Sequence, residues 1–232
     1  MELLDAMTRH RVRYFIFSST AAVYGEPRAA KPLLENDPCQ PTNPYGATKF
    51  SVERMLADNA IASDFKFVSL RYFTAAGADP SGRTGERHHP ETHLIPLVLK
   101  VATGERESIQ LYGTDYPTSD GTCIRDYVHV SDLAQAHLLA LEHLLKEGGS
   151  AVYNLGNNKG YSVREVVETA RRITKHTIPA AEAARRPGDP AFLVADSSKV
   201  RRELGWQPRY ENLEAIIETA WAWHQKEATR NA

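Results

Sequence analysis

The chain has 232 residues, 42% of them apolar and 25% charged, and its 14 glycines and 13 prolines are spread along its length. This composition is typical of a globular protein and excludes a disordered, collagen-like or coiled-coil chain. With 28 lysines and arginines against 29 aspartates and glutamates, the net charge of −1 offers no basic field for a nucleic-acid backbone, so we expect no nucleic-acid partner.

Cysteine content and hydropathy bear on the cellular compartment. Cys39 and Cys123 are far apart in the sequence and offer neither a metal-type pair nor a disulfide framework, which favours a reducing compartment. No apolar run approaches the ~18 residues of a membrane span, and the N-terminal residues lack the apolar core of a signal peptide. We therefore expect a cytoplasmic protein with no membrane partner.

The first third of the chain predicts two helices and two strands. Residues 2–10 carry apolar side chains at helical spacing, and residues 13–18 form a nearly continuous apolar run, typical of a strand buried on both faces. After a polar loop, an apolar stripe predicts a helix over 45–60, and a second strand is predicted over 66–73. A loop rich in glycine, proline and histidine follows over 76–92.

The remainder continues this alternation with shorter strands. Ser131 and Ser162 are predicted helix N-caps, and Glu165 completes a capping-box pattern with Ser162. Helices are predicted over 94–102, 131–145, 162–173 and 212–225, and strands over 109–112, 126–130, 152–155 and 192–194. Strands that alternate with helices indicate an α/β fold with a mostly parallel sheet.

The most informative pattern for chemistry joins a strand end to a helix start. Tyr45 and Lys49 are four residues apart, hence on one face of the predicted helix. A nearby cation favours phenolate over phenol, so Tyr45 can act as a base, and Thr20 after the first strand offers a hydroxyl for a substrate oxygen. Tyr-x-x-x-Lys alone is weak, because many helices contain it by chance; the hydroxyl-rich strand end and the Asn43-Pro44 turn strengthen it.

Longer motifs connect these residues to a known family. Ser18-Ser-Thr-Ala-Ala-Val-Tyr-Gly25, Asn43-Pro-Tyr-Gly-Ala-Thr-Lys49 and Leu70-Arg-Tyr-Phe-Thr-Ala-Ala-Gly-Ala78 resemble the extended short-chain dehydrogenase/reductases, that is, the NAD-dependent epimerase/dehydratase family. The resemblance narrows to the members that epimerise UDP-hexoses through His89-Pro-Glu-Thr-His-Leu-Ile-Pro96, Asp120-Gly-Thr-Cys-Ile-Arg-Asp-Tyr-Val-His-Val130 and Arg185-Arg-Pro-Gly-Asp189. It covers nearly the whole chain, with several motifs in the right order.

The resemblance implies tightly held NAD and epimerisation at C4, which interconverts UDP-glucose and UDP-galactose through a transient 4-keto sugar. Tyr45 would take the proton of the sugar 4-hydroxyl while hydride passes from C4 to the nicotinamide, and hydride would return to the other face after the sugar has turned over. Thr20 would hydrogen-bond O4, Lys49 would bind the nicotinamide ribose and favour the phenolate of Tyr45, and Phe73 would line the nicotinamide pocket.

The resemblance also implies a UDP-binding set. Two guanidiniums suit a pyrophosphate, because each makes paired, charge-assisted hydrogen bonds. The implied substrate-binding residues are Thr74, His93, Leu94, Gln110, Leu111, Tyr112, Arg125, Arg186, Asp189 and Leu193. Asp189 would accept a hydrogen bond from the uridine ribose, while Thr74 stands where the family usually has the longer, better-donating Asn. Leu193 aligns with a position that limits the room beside the sugar, and a leucine there can admit an N-acetylated hexosamine, so UDP-N-acetylglucosamine is a further candidate substrate.

Two other patterns bear on the choice of reaction. Nucleotide-sugar dehydratases resemble this family but carry Asp-Glu after the Thr20 position, whereas Ala21 and Ala22 can neither give nor take a proton, which favours epimerisation. His88, His89 and His93 invite a metal interpretation. No clean pair falls on one helical face and no carboxylate or cysteine stands at ligand spacing, so we expect a loop that shapes the substrate pocket and no metal.

The expected fold is a partial doubly wound, Rossmann-type parallel sheet that lacks its first βαβ half, with a smaller C-terminal α/β lobe. Residues 1–79 would supply the second half of the NAD-binding sheet, and residues 80–232 mainly the nucleotide-sugar lobe, with some elements returning to the sheet. The family's Gly-x-x-Gly-x-x-Gly turn and the acidic residue for the adenosine ribose have no counterpart in the sequence.

Two hypotheses follow from the missing turn. In one, the chain is a fragment of an epimerase whose activity belongs to the complete protein; in the other, it is a short non-catalytic protein that binds a UDP-sugar or a partner. A half sheet would expose an apolar face and a strand edge, so we expect poor solubility and little retained NAD. A homodimer is suggested by the resemblance alone.

Overall fold

The computed structural model describes residues 2–27 and 29–231, and the side chains as far as residue 229. The helices are α1 (Glu2–Arg9), α2 (Pro44–Ala62), α3 (Leu94–Ala102), α4 (Val130–Leu145), α5 (Val163–Thr174), α6 (Ser198–Leu204) and α7 (Leu213–Asn231), with a short 3₁₀ helix over Ala21–Tyr24. The strands are β1 (Tyr14–Thr20), β2 (Lys66–Tyr72), β3 (Thr74–Ala76), β4 (Ile109–Tyr112), β5 (Ile124–His129), β6 (Ala151–Leu155), β7 (Gly160–Ser162), β8 (Ala180–Ala183) and β9 (Phe192–Leu193). Within the described residues, no helix is both long enough and apolar enough to cross a membrane.

A parallel sheet in the order β1-β2-β6 forms the centre of the fold. Thr20 pairs with Tyr72, and Tyr72 with Leu155, so the three carboxyl ends meet at one edge. Apolar side chains of α1, α2 and the loop after α2 cover one face, among them Met7, Leu56 and Phe65, while α4 and Trp206 cover the other. Helices on both faces of a parallel sheet explain the continuous apolar character of β1 and β2, and the α/β prediction is confirmed.

The second layer contains shorter strands around β5. β3 and β9 pair with β5 in parallel, β7 pairs with it antiparallel, and β4 and β8 form a separate parallel pair. Helices α3, α5 and α7 enclose one core with these strands, and Ile95, Val98, Val166, Ile216 and Ile217 are buried in it. This layer places the start of α3 beside Thr74 of β3 and Tyr127 of β5.

Most predicted elements are present, and the differences have local causes. The bounds of α3 and β4 are as predicted, and the Ser162–Glu165 capping box forms. The Ser131 cap is wrong: helix α4 starts one residue earlier, and the side chain of His129 accepts the hydrogen bond from the Ser131 N–H. The pattern missed β3, β7 and β8, because strands of three or four residues rich in alanine and glycine carry little strand propensity, and it also missed the seven-residue helix α6.

A buried ion pair joins the carboxyl end of the central sheet to α2. Arg71 on β2 donates from Nε and Nη2 to the two oxygens of Glu53, at 3.0 and 2.6 Å, and both side chains are only 5% exposed. Ser19 Oγ also donates to Glu53, at 2.5 Å, and Arg71 Nη1 donates to Tyr24 Oη at 2.8 Å. The network therefore fixes α2 against β1 and β2 next to Thr20.

Replacement of Glu53 by glutamine is expected to destabilise the protein by about 3–5 kcal/mol, because it leaves the buried Arg71 charge without an opposite charge. The measurement is the free energy of unfolding in urea. The matched control is Glu168→Gln, which breaks the exposed Arg171–Glu168 pair on α5 and is expected to cost no more than about 0.5 kcal/mol. Equal losses in the two variants would contradict a special role for the buried pair.

His129 at the start of α4 is held in one neutral tautomer. Its Nδ1 accepts from the Ser131 N–H at 3.0 Å, and its Nε2 donates to Thr219 Oγ1 at 3.0 Å. Its ring stacks on Tyr210, with centroids 4.0 Å apart. Burial lowers the pKa of His129, against the opposing charge of Asp132. Protonation would place a hydrogen on Nδ1 facing the Ser131 N–H, and the helix cap would be lost.

Because the pKa of His129 is lower in the folded state, the folded protein binds fewer protons here than the unfolded chain. This contribution to the free energy of unfolding is therefore present above pH ~6.5 and falls by up to about 1.4 kcal/mol per pH unit as the pH drops through that value. His129→Asn, which keeps a capping acceptor, is expected to remove this component of the pH dependence. The exposed His176→Asn serves as the control; identical pH profiles for wild type and His129→Asn would refute the assignment.

Candidate active site

The three predicted catalytic residues lie together at the carboxyl edge of the central sheet. Thr20 ends β1 and caps the 3₁₀ helix, with its Oγ1 accepting from the Ala22 N–H at 3.2 Å. Helix α2 starts at Pro44, and Asn43 Oδ1 caps it by accepting from the Gly46 N–H at 2.8 Å. A Cβ at Gly46 would lie 2.4 Å from the Ala22 carbonyl oxygen, so only glycine permits this close approach.

Lys49 lies beneath Tyr45, as the four-residue spacing predicts. Its Nζ donates to the Ser18 carbonyl at 2.9 Å and lies 5.8 Å from the centroid of the Tyr45 ring and 5.0 Å from that of Phe17. The ammonium is thus held at the strand end on the side of Tyr45.

Tyr45 faces an open cavity of about 670 Å³. Its side chain is exposed, and Thr20, Phe73, Thr74 and His93 line the same cavity. The structure therefore brings the predicted proton-transfer residues and the predicted nicotinamide-pocket residue to one space, which we call the catalytic cavity. Its volume is within the ~300–1,000 Å³ of small-molecule sites.

Tyr72 is a member of this site that sequence reasoning missed. Its hydroxyl lies 2.7 Å from Ser18 Oγ and 2.7 Å from His137 Nε2, and it lines the catalytic cavity. Burial raises the pKa of Tyr72, so this phenol stays protonated and acts as a hydrogen-bonding group. The available signal was its position near the end of the strand predicted over 66–73; in the structure Tyr72 pairs with Thr20 across β1 and β2.

A second cavity of about 460 Å³ adjoins the first and shares Thr74 and His93 with it. We call it the nucleotide cavity. The predicted substrate-binding residues that line it are Thr74, His93, Leu94, Gln110, Tyr112, Arg125, Arg186 and Asp189. They come from β3, the start of α3, β4, β5 and the loop before β9, so the tertiary structure gathers residues that are more than one hundred positions apart.

The charged groups of the nucleotide cavity have defined partners. The Arg186 guanidinium carbon lies 3.9 Å from the centroid of the Tyr112 ring, and Arg125 forms an ion pair with Asp189. Arg185 instead contacts Asp115 and the ring of Tyr116, outside the residues that line the cavity. Of these two neighbouring arginines, Arg186, which the sequence analysis assigned to UDP binding, is the one that lines the nucleotide cavity.

Leu111 and Leu193 do not line the nucleotide cavity. Leu111 is buried in the core between α3 and α5, because alternate side chains of a strand point to opposite faces. Leu193, on β9, packs in a small apolar cluster with Val23 and Phe73. Its contact with the Phe73 cluster keeps it near the wall of the catalytic cavity.

Comparison with known proteins decides the family. Residues 1–156 match the model of the NAD dependent epimerase/dehydratase family. The chain belongs to this family. The chain is 56% identical over 224 residues to a UDP-glucose 4-epimerase of Halalkalibacterium halodurans, covering 97% of the chain and 67% of that relative. It thus spans about two thirds of that protein's length.

Solved structures of the family agree with this assignment. The chain superposes with a TM-score of 0.92 on a UDP-glucose 4-epimerase of Bifidobacterium longum in complex with NAD⁺ and UDP, at 42% identity, covering 97% of this chain and 68% of that one. A UDP-glucose 4-epimerase of Brucella ovis in complex with NAD gives a TM-score of 0.90 at 49% identity, covering 95% and 67%. As an epimerase/dehydratase family member with such relatives, the chain is of the isomerase class.

The residues of the catalytic cavity fit one half of the NAD that this family binds. The nicotinamide half fits: Lys49 is held beside Tyr45, and the catalytic cavity offers the aromatic ring of Phe73 and the hydroxyl of Thr20. The sequence offers no Gly-x-x-Gly-x-x-Gly turn for the pyrophosphate. This epimerase/dehydratase chain therefore carries residues suited to the reacting end of the cofactor.

The prediction that no carboxylate accompanies His88, His89 and His93 is wrong. Carboxylates do accompany the histidines: Glu86 and Glu91 lie beside His88 and His93, with one potential ligand atom of each within 4.8 Å of the others. Spacing along a helix did not predict these contacts, because residues 86–93 form a loop with a bend at residues 89 and 90. His89, which the sequence grouped with them, is outside this cluster.

Arg186→Ala is expected to weaken UDP binding by about 10- to 100-fold, because charge-assisted hydrogen bonds to the diphosphate are lost. Isothermal titration with UDP measures this change. Arg185→Ala is the matched control, since its guanidinium contacts Asp115, and it should bind UDP as the wild type does. A larger loss for Arg185→Ala than for Arg186→Ala would reverse the assignment.

Proposed function

We propose that this chain carries the reaction and UDP-binding machinery for the interconversion of UDP-glucose and UDP-galactose by epimerisation at C4. The observation that carries the proposal is that the catalytic and nucleotide cavities adjoin through Thr74 and His93. A UDP-hexose with its diphosphate between Arg125 and Arg186 then extends its sugar toward Tyr45. The relatives named UDP-glucose 4-epimerase support this choice of substrate.

Bound NAD supplies the hydride acceptor at the sugar carbon. Tyr45 takes the proton of the 4-hydroxyl as that carbon is oxidised and returns it on reduction. The hydrogen bond from Lys49 to the Ser18 carbonyl fixes its ammonium group on the side of Tyr45. Thr20 Oγ1 already accepts from the Ala22 N–H, so its hydroxyl hydrogen can be donated to the sugar oxygen.

The two cavities have different roles in the inversion at C4. The nucleotide cavity presents charged groups that fix a diphosphate, whereas the catalytic cavity is larger and open, which leaves the sugar room to present its other face. Ala21 and Ala22 in the 3₁₀ helix offer no acid or base next to Thr20, and this favours epimerisation over the elimination of water. Acceptance of UDP-N-acetylglucosamine, a homodimer, a cytoplasmic location and the division at residues 79 and 80 stay predictions.

Tyr45→Phe tests the assigned base. We expect turnover of UDP-galactose to fall by about 10²- to 10⁴-fold, the usual contribution of a general acid–base group, with UDP affinity unchanged. The assay is best run on this chain and on a chimera that adds the N-terminal third of the Halalkalibacterium halodurans relative, with NADH absorbance as a second readout. Tyr14→Phe, on the same strand as Thr20, is the control.

The outcomes separate the two hypotheses. Turnover by the chimera that depends on Tyr45 supports the proposal, whether or not the chain alone is active. A chimera that binds UDP and NAD but does not epimerise would overturn it in favour of a non-catalytic UDP-sugar-binding protein.

A further inference from the structure

Four side chains converge in the loop between β3 and α3. His88 Nδ1 lies 3.0 Å from Glu86 Oε1 and 3.8 Å from Glu91 Oε2, while His93 Nδ1 lies 3.3 Å from Glu91 Oε1 and also contacts Glu86 Oε1. One potential ligand atom from each residue falls within 4.8 Å of the other three. We call this group the His/Glu cluster; nothing in the proposed epimerisation uses it as a unit.

The two carboxylates of the cluster are poorly hydrated. The side chain of Glu91 is 4% exposed and that of Glu86 is 20% exposed. Within the described part of the chain, every ion pair that these two glutamates make is with His88 or His93. Arg87, between them in sequence, is directed to Glu227 at 3.2 Å. Two nearly buried negative charges require a compensating positive charge.

The positions of the donor atoms suit a tetrahedral metal centre. Bonds of about 2.0–2.1 Å from a tetrahedral Zn²⁺ to nitrogen and oxygen ligands place neighbouring ligand atoms about 3.3 Å apart. Two nitrogen–oxygen separations lie near that value, 3.0 Å from His88 Nδ1 to Glu86 Oε1 and 3.3 Å from His93 Nδ1 to Glu91 Oε1, while His93 Nδ1 lies closer to Glu86 Oε1. Two imidazoles with two carboxylates favour Zn²⁺ over Mg²⁺ or Ca²⁺, which prefer oxygen ligands alone.

Several ligand positions are already fixed by the backbone. Glu91 Oε1 accepts from the N–H groups of Thr92 and His93, at 2.7 and 2.8 Å. Trp223 Nε1 donates to the carbonyl of Glu86 at 3.2 Å and ties the start of the loop to α7. The imidazoles of His88 and His93 are about half exposed, which leaves a path for an ion from solvent.

We propose that Glu86, His88, Glu91 and His93 form a binding site for a divalent cation of the Zn²⁺ type. The ion neutralises the two carboxylates and fixes the loop that forms part of the wall of the catalytic cavity. Coordination through Nδ1 of His93 leaves its Nε2 as an N–H donor on a side chain that also lines the nucleotide cavity. The ion thus has a structural role that prepares His93 for an anionic ligand.

Titration of ZnCl₂ into the untagged, chelator-treated chain tests the site directly. Calorimetry is expected to show one ion per chain, and Zn²⁺ should raise the melting temperature, because the ion binds the folded state. His88→Ala and Glu91→Gln should each weaken binding by at least about 10- to 100-fold, the loss typical even of outer-shell partners. The exposed His176→Ala is the control and should bind as the wild type does.

A Co²⁺ titration gives a second readout that does not depend on the stability of the variants, since tetrahedral Co²⁺ with nitrogen ligands has a characteristic visible absorption. Absence of one-to-one Zn²⁺ binding, or binding that His88→Ala and Glu91→Gln leave unchanged, would overturn the proposal. Neither result depends on epimerase turnover, so the failure of this site and the failure of the proposed function are distinguishable.

Discussion

A buried ion pair between Glu53 and Arg71 is the interaction on which the catalytic edge depends. The pair lies where α2 meets the carboxyl ends of β1 and β2, and Ser19 joins it directly beside Thr20. Charges removed from water in this way are stable only with complete hydrogen bonding, and here β1 and β2 supply the donors while α2 and the 3₁₀ helix supply acceptors. The geometry of Tyr45 relative to Thr20 follows from how the pair holds α2 against the sheet.

The functional arrangement follows from a general property of parallel sheets. Because every strand of such a sheet ends at the same edge, the segments that follow β1 and β2 collect in one place. Thr74, just after β2, and His93, at the start of α3, lie at the boundary of two cavities for this reason. One cavity is lined by proton-transfer groups and the other by guanidiniums, so the fold separates chemistry from binding while keeping them adjacent.

Sequence reasoning succeeded where the determining interactions are local. The capping box at Ser162 and the pair of Tyr45 and Lys49 depend on spacing within one helix, and both are present in the structure. It failed for the cap of α4, where the imidazole of His129 displaces the expected Ser131 hydroxyl, because packing against Tyr210 fixes the ring at that position. The short strand β8 was not predicted, because its pairing with β4, and not the strand propensity of its alanines, determines its conformation.

The sequence by itself determined the class of fold, the bounds of the longer helices and strands, and the kinds of chemical group available for proton transfer and diphosphate binding. The tertiary structure alone decided that Arg185 contacts Asp115 and the ring of Tyr116, that Leu111 lies in the core, and that Glu86 contacts His93. Helical and strand periodicities act over a few residues, so they are legible in a sequence. Contacts between distant segments depend on how whole elements pack, and no local pattern encodes them.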